Sequence, residues 1–133
     1  MVTLQSVYRH PEIAIPLLYQ LLSERTPEQS ISHKEMPSLK DHQAFFDSKP
    51  YQCWYLIFAD DRPVGAIYLS KQREIGVGIL KEYVRQGYGR AAVEALMAKW
   101  PGRFLANINE KNEHSLKMFR SIGFKTLQIT LTL

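Results

Sequence analysis

Glu74-Ile75-Gly76-Val77-Gly78-Ile79-Leu80, followed by Arg85-Gln86-Gly87-Tyr88-Gly89-Arg90-Ala91, decides how the rest of the chain is read. The first stretch is a strand. A short loop follows, and then a glycine turn that opens a helix. A strand that delivers a glycine-rich turn to a helix N-terminus makes an anion site. Free backbone N–H groups and the positive end of the helix dipole converge there.

Downstream, residues 87–100 form the strongest helix pattern, with Val93, Leu96, Met97 and Trp100 at i, i+3, i+4 and i+7. Pro101-Gly102 stops it. Residues 104–108 read as a short buried strand, and the right-handed crossover places it parallel to the 74–80 strand. Asn112 caps a further helix to about residue 122, with Gly123 as its terminal glycine. Residues 124–133 read as a final strand, with Leu127, Ile129 and Leu131 alternating.

Upstream, residues 52–59 are apolar on both faces, as expected of a central buried strand. Asp60-Asp61-Arg62-Pro63 is a turn and residues 64–70 are the next strand. A polar turn, Lys71-Gln72-Arg73, leads to Glu74. Three strands joined by short turns make an antiparallel meander. Before it come an irregular strand through Val2, Leu4 and Val7, and a helix begun by His10-Pro11-Glu12. Ile13, Leu17 and Leu21 mark that helix's core face. Pro16 falls early enough to be tolerated. Residues 26–37 read as a loop or broken helix. A short helix capped at Ser38 carries Ala44, Phe45 and Phe46.

The 133 residues suffice for one domain spanning 1–133, with a core that needs no staples. No run of 18 apolar residues occurs, so no membrane span is expected. Met1-Val2-Thr3-Leu4-Gln5 lacks the features of a signal peptide. Cys53 stands alone, which excludes an intrachain disulfide and a cysteine-built metal site. A cytoplasmic protein is the expectation. A net charge of +4 suits an anionic small molecule and falls short of the dense basic stripe of a nucleic-acid binder.

With elements in the order β-α-α-β-β-β-α-β-α-β, the chain resembles the GNAT-superfamily N-acyltransferases over nearly its whole length. Two motifs carry the resemblance. One is the family's acetyl-CoA loop, Arg/Gln-x-x-Gly-x-Gly/Ala. Residues 86–91 match it in one register; in the other, Gly87 and Gly89 supply the glycines and Val84 stands where Arg or Gln is usual. The second, Asn-x-x-Ala/Ser, an aromatic, then Gly-Phe, is met by Asn112, Ser115, Phe119, Gly123 and Phe124. The implied fold is α+β: a mostly antiparallel twisted sheet splayed between its fourth and fifth strands, with helices on both faces. Two departures stand out. The second motif's aromatic is usually Tyr, often the acid for the departing thiolate, and here it is Phe119. Family members also commonly have two strands beyond the last helix, so the sheet edge is either open or completed by a second subunit, as in a homodimer.

The resemblance implies acetyl-CoA as co-substrate and no metal. The pyrophosphate needs close N–H donors, and Gly87 and Gly89 allow that approach for the amides of Gln86, Gly87, Tyr88, Gly89 and Arg90. Arg85 and Arg90 either add charge to the phosphates or are solvated helix-start cations. Glycines within a strand mark a bulge or close approach, so Gly76 and Gly78 either expose backbone to the pantetheine arm or ease packing. By resemblance, the backbones of Val77 and Ile79 meet the arm and polarise the thioester carbonyl. Asn112, Ser115 and Phe119 hold the arm, or Asn112 and Ser115 simply cap their helix.

An alkylamine acceptor has a pKa of about 10, so a base assists its attack. Glu74 occupies roughly the position of the family's catalytic carboxylate, and is otherwise an ordinary strand-start glutamate. The thiol's pKa of about 8.5 lets CoA leave largely as thiolate, so an acid is not obligatory. Tyr83 or a water is the substitute acid. In this family the segment joining the first two helices walls the acceptor site, which makes His33 a candidate substrate contact. Cys53 reads as a buried small hydrophobe, and direct transfer in a ternary complex is preferred over an acyl-cysteine route.

The first expectation is acetyl transfer to a small-molecule primary amine, such as an amino sugar or nucleotide-linked amino sugar. Acetylation of a protein lysine or N-terminus is an alternative, and a non-catalytic CoA-binding regulatory module is another. No nucleic-acid or membrane partner is expected.

Overall fold

The computed structural model describes residues 1–26 and 35–133. The sheet has four strands in the order β1-β2-β3-β4, all neighbours antiparallel: β1 Val2–Ser6, β2 Cys53–Ala59, β3 Arg62–Leu69 and β4 Ile75–Ile79. Between β1 and β2 lie α1, Pro11–Ser23, and α2, Leu39–Asp47. After β4 come α3, Tyr88–Lys99, and α4, Glu113–Ile122.

β2 runs between β1 and β3 and is apolar on both faces, so each face has a core. Trp54, Leu56 and Phe58 pack with Leu17 and Leu18 of α1 and Phe46 of α2. Ile57 and Ala59 pack with Ile67, Ile75, Val93 and Leu96, beneath α3 and α4. Burying side chains such as Leu56 and Ile57 stabilises by about 1.5–3 kcal/mol each. Pro16 is inside α1 and Pro11 opens it. Ser38 caps α2 by accepting the Asp41 N–H at 3.1 Å, as its sequence implied.

β4 meets the following segment at one place. Glu74 and Leu105 form an isolated parallel bridge; the Ile75 N–H donates to the Leu105 carbonyl at 2.8 Å, and the Leu105 N–H donates to the Arg73 carbonyl at 2.9 Å. Residues 104–108 therefore run parallel to β4, as expected, but touch it as a bridge rather than a full strand. Beyond that apex the two segments part, which is the expected splay. Arg73 fixes the apex from behind: its guanidinium donates to the carbonyls of Trp100 and Arg103, at 2.7 and 2.8 Å, and lies over the Phe104 ring.

The expected last strand is corrected. Residues 124–133 form no strand, and Leu127, Ile129 and Leu131 are 67%, 78% and 88% exposed. Phe124 is held, edge-on to Phe119 at 5.0 Å and with its N–H on the Phe119 carbonyl, and Thr126 Oγ1 accepts from the Arg120 guanidinium at 3.4 Å. Alternating apolar residues mark an amphipathic extended segment, but a strand exists only where its backbone finds an edge to pair with. No strand of the described sheet takes this one.

Candidate functional site

The hydrogen-bond phase of β4 decides what its free edge presents. Antiparallel partners alternate between hydrogen-bonded and non-bonded pairs. Ser70 donates its N–H to the Glu74 carbonyl, and Leu80 donates to the Val64 carbonyl. Glu74, Gly76, Gly78 and Leu80 therefore bond towards β3, given the pairing of Gly76 with Tyr68 and Gly78 with Ala66. Ile75 points its N–H the other way, onto Leu105. Val77 and Ile79 share its phase, so their N–H and C=O groups face the gap, where no described strand pairs with them. These are the two residues whose backbones were expected to meet an amide-bearing arm.

Side chains follow the complementary alternation. Val77 and Ile79 pack on the α3/α4 face. Gly76 and Gly78 turn to the α1/α2 face, with Glu74 in the same phase. A Cβ on Gly78 would meet Leu21 of α1 at 3.4 Å; a Cβ on Gly76 would lie 2.1 Å from the Tyr68 ring. Gly76 is thus required by Tyr68, which lies across it. Tyr51 stacks on Tyr68 with centroids 3.8 Å apart and planes 6° from parallel. Burial pushes both phenols above their ordinary range.

At the other end of β4 the chain turns into α3. Arg85 and Gly87 both have positive φ, at 66° and 81°. Gly87 is the N-cap of α3 and offers no side-chain cap, so the first-turn N–H groups are left for an external acceptor. The left-handed conformation at Gly87 favours the register in which Gly87 and Gly89 are the motif's glycines. Gly89 lies where an added Cβ would make ordinary contacts, with Ile79 at 3.8 Å and Met118 at 3.9 Å. Tyr88 donates its hydroxyl to the Gln86 amide oxygen at 3.1 Å. Arg85 and Arg90 are exposed; Arg90 lies 3.4 Å from Glu94.

Asn112 caps α4, accepting the Ser115 N–H at 3.2 Å, so the capping role expected of this pair is real. Phe119 is 3% exposed and packed in the core against Phe124. Glu74 accepts hydrogen bonds from Ser70 Oγ, at 3.4 Å, and from the Asn107 amide. The sequence reading missed Asn107, Ser70, Tyr51 and Tyr68, because their proximity depends on strand register and on the apex.

The structure separates Tyr83 from Glu74. Tyr83 follows the C-terminal end of β4 and lies under the Arg62 guanidinium, 5.7 Å from its ring centroid. The five residue-to-residue steps from Glu74 to Ile79 span about 16 Å. Base and acid on one thioester cannot be that far apart, so Glu74 and Tyr83 do not serve together. His33 lies outside the described residues. His42 is buried, with Nε2 3.1 Å from the Ile15 carbonyl. Cys53 is half-buried, and burial raises its thiol pKa, which disfavours a nucleophilic thiolate. Among the described residues no cluster of His, Cys, Asp or Glu could hold a metal, and no helix is long and apolar enough to cross a membrane.

Comparison with known proteins bears on the same features. A model of the acetyltransferase (GNAT) family matches residues 15–124. The peptidyl-lysine N-acetyltransferase YjaB of Escherichia coli (strain K12) is 32% identical over 72 residues, 54% of this chain and 48% of that protein. The chain thus matches about half the length of this curated relative. Among solved structures, an acetyltransferase from Thermus thermophilus superposes with a TM-score of 0.72 at 21% identity, covering 96% of this chain and 89% of the other. RimL, a ribosomal L7/L12 alpha-N-protein acetyltransferase in complex with coenzyme A, has a TM-score of 0.70 at 20% identity, covering 92% and 79%. At these identities the structural likeness speaks for the fold.

Proposed function

The chain belongs to the acetyltransferase (GNAT) family, and on that premise we propose that it moves the acetyl group of acetyl-CoA to a primary amine by direct attack in a ternary complex. The observation that carries this reading is the unpaired edge of β4. Val77 and Ile79 offer backbone donors and acceptors to the gap, in line with an uncapped helix N-terminus at Gly87. A pantetheine arm has two amides that can pair with such an edge, and a pyrophosphate suits the α3 amides. The co-substrate supplies an activated acyl carbon and a thiolate leaving group.

The protein's own groups do the rest. Glu74 takes the proton from the attacking ammonium, directly or through water. The amine nitrogen then bonds to the acetyl carbon as the carbon–sulfur bond breaks; the sulfur departs with the electron pair, and the nitrogen's surplus proton passes to water. Gln86, Gly87, Tyr88, Gly89 and Arg90 hold the phosphates through backbone N–H groups, with Arg85 adding charge. Asn112, Ser115 and Phe119 stay in the reading as the wall beside the arm. Neither Tyr83, by its distance, nor Phe119, by its chemistry, is the acid, and thiolate departure needs none. We place the protein in the cytoplasm.

A small-molecule amine is the acceptor in this reading, an amino sugar or nucleotide-linked amino sugar by analogy. The likeness to a peptidyl-lysine N-acetyltransferase favours a second reading, a protein lysine or N-terminal amine. The test is thiol release from acetyl-CoA against amino sugars, nucleotide-linked amino sugars and lysine peptides. Turnover with one class assigns the acceptor. Micromolar CoA binding without turnover on any amine would leave a CoA-binding module instead. Glu74→Gln should lower kcat by about 10²-fold or more with CoA affinity intact; an unchanged kcat would remove Glu74 as base.

A further inference from the structure

Glu74 is gripped from two elements. On its own turn, Ser70 is 8% exposed, and its Oγ accepts the N–H groups of Gln72 and Glu74 at 3.2 and 3.0 Å while donating to Glu74 Oε1. A hydroxyl has one donor and two acceptor sites, so Ser70 is fully used in building that turn. From across the apex, Asn107 donates its amide N–H to Glu74 Oε2. Asn107 lies two residues past the Leu105 bridge, and its side chain reaches back over the opening of the gap. One donor on each oxygen leaves further lone pairs free to take a proton.

We propose that Asn107 is a positioning residue for the transfer reaction, holding the Glu74 carboxylate turned towards the mouth of the gap. The proposal rests on the reading of Glu74 as base. An amide donor stabilises the charged form of a carboxylate and adds no charge of its own. Aspartate at the same place would put two carboxylates in contact, and like charges resist ionising together across the acid range. The other groups around Glu74 leave that range clear. Tyr68 faces it from β3 with Tyr51 stacked behind, and Arg25, beyond the end of α1, acts on both phenols. Arg73 precedes it with its guanidinium turned onto Trp100 and Arg103. The raised phenols hold their protons throughout the acid range, and a guanidinium stays charged across it.

The test uses the whole chain, with Asn107→Ala and the near-isosteric Asn107→Asp. Both kcat and amine KM are measured across pH with whichever panel amine turns over best. Asn107→Ala should lower kcat by about 10-fold with amine KM little changed, and Asn107→Asp should lower it further. The acid limb of the kcat profile should move to higher pH in Asn107→Asp. CoA affinity should stay unchanged. An unchanged kcat and acid limb in both variants, alongside a Glu74→Gln enzyme that has lost activity, would overturn the role of Asn107 and spare the base. Full activity in Glu74→Gln would overturn both. Should Asn107→Ala fail to fold, the aspartate variant decides alone.

Discussion

Arg85 holds φ at 66°, a conformation that costs a residue with a Cβ about 1–2 kcal/mol, and Gly87 two positions on holds 81° with no such cost. Left-handed residues in a tight turn gather successive N–H groups into a concave nest for an anion. No atom lies within 4 Å of a Cβ added at Gly87, so Gly87→Ala tests backbone geometry without a clash. It should lower stability by about 1–2 kcal/mol in thermal melts and weaken CoA in calorimetric titration. Arg85→Gly should leave stability nearly unchanged and weaken CoA only through the lost charge. Equal CoA affinity in Gly87→Ala and the parent would refute the nest. Gly87 was legible because only glycine takes such an angle freely. Arg85 was not, since nothing in an arginine announces a left-handed backbone. The pair of Glu74 and Asn107 was equally hidden, joining residues 33 apart.

At the scale of the element, β4 is shaped by what lies across it. Tyr68 occupies the space a side chain at residue 76 would need, held there by Tyr51. Gly76→Ala should therefore destabilise the protein by about 1–3 kcal/mol in denaturant titration, through overpacking rather than any loss at the donor site. Combining it with Tyr68→Ala should cost less than the sum of the two single changes. Strict additivity would mean that the ring is not what excludes the Cβ. The sequence had offered two explanations for the strand glycines, exposure to a cofactor or packing. Packing accounts for Gly76, where the Tyr68 ring leaves no room for a Cβ, and the backbone left unpaired along this strand belongs to Val77 and Ile79 rather than to the glycines. Helices were legible from their periods and caps, as at Ser38 and Asn112. The final strand was misread because alternation at Leu127, Ile129 and Leu131 reports a preference for extension and says nothing about an available edge.

Across the whole molecule, two cores share one sheet, one under α1 and α2 and the other under α3 and α4. Residues 125–133 join neither core, and their exposed leucines and isoleucine suit a partner strand from a second copy. Light scattering should report a dimer, and replacing Leu127, Ile129 and Leu131 together by serine should return a folded monomer. A monomeric parent would dismiss that arrangement. The two sides of the gap are joined at the Glu74–Leu105 bridge, with Arg73 bracing it from behind. Along β4, amides alternate between bonds to β3 and open solvent. In deuterated water, Val77 and Ile79 then exchange their protons quickly while Gly76 and Gly78 between them exchange slowly. A bound arm that lies along the edge erases that two-residue rhythm, so a single strand keeps a visible record of whether the donor is seated.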